Sequence, residues 1–170
     1  MKKVIILLIV TLSINFSFAQ EKQVEITYNK KKEVLLNGKK INKKTTLETI
    51  KENLGTPVIY KEHTSGKINY HYPDLGISVH IVNNKLSFIG VNFNWDGDKS
   101  FPETTFIGKL EIDGVQFNKS STNATLSEIT IVEIKCLFPS MCMTDPKLEK
   151  NSIIIGFKDD KLTQVGFGFK

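Results

Sequence analysis

Arginine is missing from this chain: all 23 of its basic residues are lysine. Reading bases and gripping phosphates with two parallel hydrogen bonds both rely heavily on arginine, so nucleic acid is not an expected partner. Cysteine is nearly absent too, at two residues, Cys136 and Cys142. Five residues between them and no histidine nearby do not make a zinc pattern, nor the C-x-x-C of a thiol oxidoreductase. Two readings of the pair stay open: a disulfide, or a cysteine packed as a small apolar side chain. Histidine is limited to His63, His71 and His80. No Gly-x-Ser-x-Gly elbow presents a nucleophile, and no glycine-rich loop is built to cradle phosphate. Asp96, Asp98 and Glu103 lack the twelve-residue calcium-loop pattern and read as a polar linker. His71 and His80 could face each other across paired strands, yet a metal site wants a third ligand and only Asp74 or Asp98 offers one. These absences leave no catalytic residue, no metal site and no cofactor to assign.

What is present begins with Lys2 and Lys3, an apolar run from Val4 to Phe18, and the small-x-small triplet Ser17-Phe18-Ala19. A basic start, a short apolar stretch and a small residue make a secretory signal peptide over residues 1–19, cut before Gln20. No cysteine follows the run to carry a lipid, so the mature chain is expected free in the periplasm or outside the cell. No later run approaches the ~20 apolar residues of a membrane span, and the mature chain is expected to have no transmembrane segment. Removing Lys2 and Lys3 lowers the formal charge of +5 by two. The lysines at 30, 31, 32, 39, 40, 43 and 44 form the one basic cluster, read as a solvated hairpin face with an anionic lipid or acidic partner as the other reading.

The organising feature is a repeat. Asn83-Asn84-Lys85-Leu86-Ser87-Phe88-Ile89-Gly90 matches Asp159-Asp160-Lys161-Leu162-Thr163-Gln164-Val165-Gly166 at a spacing of 76 residues. Val34 to Lys43 matches Leu110 to Lys119 at the same spacing. Thr46-Leu47 resembles Thr125-Leu126 at 79, which implies a small insertion before the second helix, offset later by a deletion. The division expected is a unit at 20–94, a linker at 95–105 and a second unit at 106–170. Asn37-Gly38 and Asp113-Gly114 are strong type I′ hairpin turns. A helix follows the first, capped by Thr45 or Thr46 and closed by Gly55 ahead of Pro57. A second is expected from about Leu126 to Leu137, ended by Pro139, although its β-branched run also suits a strand. Strands at Lys67–Tyr72, Ile77–Val82 and Leu86–Phe93 complete the first unit, and Ile153–Lys158 with Leu162–Phe169 answer them in the second. The fold class is α+β: two tandem copies of a helix packed on an antiparallel meander, their sheets joined. Alternation points Ile77, Val79, Ile81, Ile89 and Val91 at the helix, and leaves Ser78, His80, Phe88, Asn92 and Gln164 on the opposite face.

The helix ending Leu54-Gly55-x-Pro57, followed by a meander that closes on Asn83-Asn84-Lys85-Leu86, resembles the fold family of the β-lactamase inhibitory proteins and the small outer-membrane assembly lipoprotein. The whole mature chain also looks like members of an uncharacterised family of exported bacterial proteins. The first resemblance implies a helix against an antiparallel sheet and, in the inhibitors, two tandem copies whose joined sheet faces a partner enzyme. No functional residue of either family maps onto this chain by motif. The expected function is an exported, non-catalytic binder of another protein, of inhibitor, immunity or adaptor type. Its contact residues are expected to be His71, Ser78, His80, Phe88, Asn92, Trp95 and Gln164. An envelope module touching membrane or wall through the lysines, or a hydrolase with its site between the copies, is the alternative.

Overall fold

The computed structural model describes residues 23–170, so the signal-peptide reading lies outside the described residues. Among the described residues there are two sheets, one short α-helix and two 3₁₀ turns. The first sheet contains β1 (Glu25–Tyr28), β2 (Val34–Leu36), β3 (Lys39–Ile41), β8 (Lys109–Ile112) and β9 (Val115–Phe117) in the order β3-β2-β1-β8-β9. The second contains β4 (Val58–Glu62), β5 (Lys67–Tyr72), β6 (Ile77–Val82), β7 (Lys85–Asn92), β10 (Ile134–Phe138), β11 (Met141–Thr144), β12 (Asn151–Lys158) and β13 (Lys161–Phe169). Its order is β10-β11-β12-β13-β7-β6-β5-β4, two four-stranded meanders joined at β7 and β13. Among the described residues no helix is long and apolar enough to cross a membrane.

The turns are where the residues demand them. Asn37, Gly38, Asp113 and Gly114 all have positive φ, as do Asn83, Asn84, Asp159 and Asp160. Two consecutive positive φ values are the type I′ geometry whose twist matches the flanking strands. The pairing also carries the 76-residue spacing. Gly90 sits opposite Gly166, Ile89 opposite Phe167 and Val91 opposite Val165, so residues 76 apart exchange places about a local twofold axis through the two glycines. In the first sheet Thr27 pairs with Leu35 on one side and Glu111 on the other, again 76 apart. The single strand β1 therefore lies on the same axis and serves both halves.

The core lies between the sheets. Ile26, Tyr28, Leu36, Leu110 and Ile112 of the first meet Ile77, Val79, Ile89, Val91, Ile155 and Phe167 of the second, all buried. The rings of Tyr28 and Phe167 stack at 6.0 Å. The helix α1 (Leu47–Leu54) closes one margin of this core through Ile50, with Thr46 at its N-cap accepting from the Thr49 amide and Gly55 following it. The apolar face of the large sheet is thus covered mainly by the five-stranded sheet, and only in part by the expected helix.

The second copy departs from the expectation. No second α-helix occurs among the described residues: Asn123–Glu128 is a 3₁₀ helix, and 134–138 is strand β10. The insertion implied by the spacing of 79 is also not found. Leu86 donates to the Thr45 carbonyl and Leu162 to the Ser121 carbonyl, while Asn42 and Asn118 donate to the hydroxyls of Thr45 and Ser121. Thr122 therefore stands where Thr46 stands, 76 residues on.

The polar residues at the two hairpin turns bond differently to the segments that follow them. Asn37 Nδ2 donates to the carbonyl of Asn53 at the end of α1. Asp113, having no donor, instead accepts from the Thr130 amide and hydroxyl and the Ile131 amide. Amides are available to such an acceptor only where a helix is not using them. Those bonds hold the Asp113 carboxyl below its ordinary range.

Candidate functional site

The outer face of the large sheet, opposite the core, carries nearly all the residues singled out from sequence. His71 on β5 pairs with Ser78 on β6, and His80 on β6 with Phe88 on β7. A register shift after His80, at Ser87, turns Phe88 outward, and Thr163 sits at the matching shift in the second copy. Gln164 pairs with Asn92 across the central seam.

This face is not open. The segment from Asn94 to Thr105 crosses it as a strap. The Asn92 side-chain amide donates to the carbonyls of Glu103 and Thr104 at 3.1 Å each, and Gln164 Nε2 donates to Asp96 at 2.8 Å. His71 Nε2 lies 3.1 Å from the Ser100 carbonyl. A carbonyl only accepts, so this ring nitrogen carries the proton and Nδ1 is left as the acceptor. Phe101 packs edge-on against Phe88 with centroids 6.1 Å apart. Gly76 makes the crossing possible, since a side chain there would run into the backbone of Thr104 and Phe106. Ser78, Asn92 and Gln164 are consequently buried and spent on the strap's anchorage or enclosed beneath it. As surface contact residues these three expectations are corrected, and so is that for His71, which is 7% exposed and tied to the strap at Ser100.

The histidines gather at one side. Tyr60 stacks on His71 at 4.2 Å and His80 on Phe88 at 4.7 Å. Burial lowers the His80 imidazole to about 4, helped by the charges of Lys67, His71 and His63 and opposed by Asp98. Burial also lowers His71, against the Ser100 hydrogen bond that favours its proton. Both rings are therefore neutral near pH 7. His80 Nε2, Ser78 Oγ, Asn69 Oδ1 and Asn92 Oδ1 are buried without a protein partner, and such atoms are ordinarily met by water. Among the described residues no three His, Cys, Asp or Glu converge to hold a metal. No carboxylate there hydrogen-bonds a histidine, so the orienting group that a hydrolytic base uses is not in place.

Two cavities flank the strap. One, of about 370 Å³, is lined by Tyr60, His71, Trp95, Phe101 and Glu103. The other, of about 380 Å³, lies between Asp96, Asp98, Phe101, Met141, Ile154 and Gln164. Beside the first, Val58 and Tyr60 on the edge strand β4 and Trp95 on the strap are 57%, 43% and 42% exposed. Of the residues expected to touch a partner, only His71 and Trp95 border this exposed region; Phe88 forms the floor of the second cavity. Val58 and Tyr60 were missed by sequence reasoning. The apolar run Val58-Ile59-Tyr60 after Pro57 was the available signal.

The cysteines form a disulfide between directly opposed positions of β10 and β11. That resolves the two readings of the pair.

No curated protein and no solved structure matches this chain. A family model described as a domain of unknown function (DUF7738) matches residues 25–127, more than half of the 170. The match takes in the whole five-stranded sheet, the meander from β4 to β7 and the strap. The chain belongs to this family, the domain of unknown function DUF7738.

Proposed function

We propose that this chain is an exported, non-catalytic module that binds another protein through the β4 end of the outer face. The supporting observation is the grouping of Val58, Tyr60 and Trp95, exposed beside a cavity of about 370 Å³ whose walls also include His71, Phe101, Lys99 and Glu103. Exposed Trp and Tyr next to a pocket are the residue types that anchor interfaces, and a soluble protein seldom groups them without such a use. The stacked rings of His71 and Tyr60 give that pocket a flat aromatic wall, suited to an apolar or aromatic side chain of the partner. Export is part of the proposal, and cleavage before Gln20 would appear as the N-terminus of the mature protein.

The test is capture from native envelope extract on tagged residues 20–170, with Tyr60→Ala and Trp95→Ala beside the wild type and melting curves as the folding control. A stoichiometric protein retained by the wild type and lost from both folded variants is the expected result. Trp95 is the only tryptophan, so its emission should shift to the blue when the purified partner is added. A partner held equally by all three forms, or none held by any, would overturn the proposal.

A further inference from the structure

Sharing no residue with the outer-face cavities, three stretches far apart in sequence meet around a cleft of about 530 Å³: the β1–β2 turn, the loop after β3, and the loop before β12. Asn151 Nδ2 donates to the Lys32 carbonyl and Lys32 Nζ meets Glu149 at 2.7 Å, which locks two of these walls together. The cleft is lined by six lysines and two glutamates. Both glutamates are already neutralised, Glu149 by Lys32 and Glu33 by Lys40. Lys40, with Asn29 adding a hydrogen bond, holds the Glu33 carboxyl below its ordinary range. Lys31, Lys43, Lys44 and Lys150 have no carboxylate partner among the described residues, although they line the same concavity.

We infer that this cleft is a binding site for an anion carrying several phosphate charges close together. Like charges gathered around one concavity repel, and an ion of opposite sign entering it relieves that repulsion for the four exposed, unpaired lysines. One carboxylate would offset one lysine. A polyphosphate or a clustered phosphate ester offsets several within the span of the cleft, and the lysine ammonium serves phosphate as a mobile point charge. The site is separate from the outer face of the large sheet and stands or falls independently of partner binding there.

The probe is tripolyphosphate, titrated calorimetrically at low salt into residues 20–170. Binding near one equivalent that weakens as salt is raised is expected. Removing Lys43 and Lys150 together by alanine should weaken it about tenfold or more. Removing Lys85 and Lys161, exposed lysines at β-turns elsewhere, takes away the same charge and should leave affinity within about twofold. Absence of binding by the wild type, or equal losses from the two pairs, overturns the site. Sedimentation with phosphatidylcholine vesicles, with and without phosphatidylglycerol, separates the sources. Binding to anionic vesicles that Lys43 and Lys150 control places the phosphate on lipid. Tripolyphosphate binding without vesicle binding places it on a soluble ligand.

Discussion

Phe88 and Gln164 occupy matching positions 76 residues apart, yet they have taken different tasks. Phe88 lies over the central seam, where side chains at Gly90 or Gly166 would collide with its ring. His80 on one side and Phe101 on the other hold that ring in place, so it has little room to yield. Gly166→Ala should therefore cost about 1–3 kcal/mol, read as a lowered urea midpoint. The same change made in Phe88→Ala should cost much less, because the obstacle is gone; equal costs in both backgrounds would refute the seam account. His80 supplies a pH prediction. Its folded imidazole titrates near 4 rather than 6.5, so between those values the unfolded chain binds more protons than the folded one. Stability contributed by the neutral ring is complete above pH 6.5 and is lost as pH falls toward 4, by roughly 3 kcal/mol. His80→Gln should flatten that window in urea melts run at a series of pH values. A variant with the wild-type slope would show that another group carries it.

At the scale of elements, the second copy was harder to read than the first. The run Ile129, Ile131, Val132, Ile134 was compatible with helix or strand, and side-chain bonding settled it. Asp113 accepts from amides 130 and 131, just ahead of strand β10, and Cys136 pins β10 against β11. That hairpin is one edge of the large sheet, with Leu137 and Phe138 exposed. Replacing both cysteines by serine removes a short covalent loop worth about 2 kcal/mol. Amide exchange should quicken across residues 134–144 while β7 and β13 stay protected; a uniform change over the chain would mean that the hairpin is not a separate unit. In the first copy, Thr46→Ala removes the cap of α1 and should cost about 1 kcal/mol, measurable as a shift in the thermal midpoint.

At the scale of the whole molecule, the two copies are not two domains. The strand β1 is used by both, paired antiparallel with β2 and parallel with β8. The large sheet is continuous only through β7 and β13. Residues 106–170 expressed alone should therefore be unfolded by circular dichroism, since their hairpin β8–β9 loses β1 and their meander loses both β7 and its covering sheet. Mixing with residues 23–105 should restore the strand signal. A cooperative melt from 106–170 alone would show that the shared strand is dispensable.

The sequence by itself determined the turns, most of the strands and the spacing of 76, because those depend on local conformational preferences and on the period of apolar residues. Asn37-Gly38, Asp113-Gly114, Asn83-Asn84 and Asp159-Asp160 all take the positive φ that their residue types favour, and alternation assigned the buried face of β6 and β7 correctly. Only the tertiary structure decided what covers each face. The strap from Asn94 to Thr105 reads as a linker because much of its hold on the sheet comes from backbone carbonyls at 100, 103 and 104, and carbonyls leave no mark in a sequence, while Asp96 and Phe101 find their partners only in the fold. It converted Ser78, Asn92 and Gln164 from contact residues into anchors and enclosed groups, and left Tyr60 and Trp95 outside. The lysine cleft was half legible, as a cluster between residues 30 and 44. Its third wall, at Glu149 and Lys150, arrives from more than a hundred residues away and joins it only through the fold.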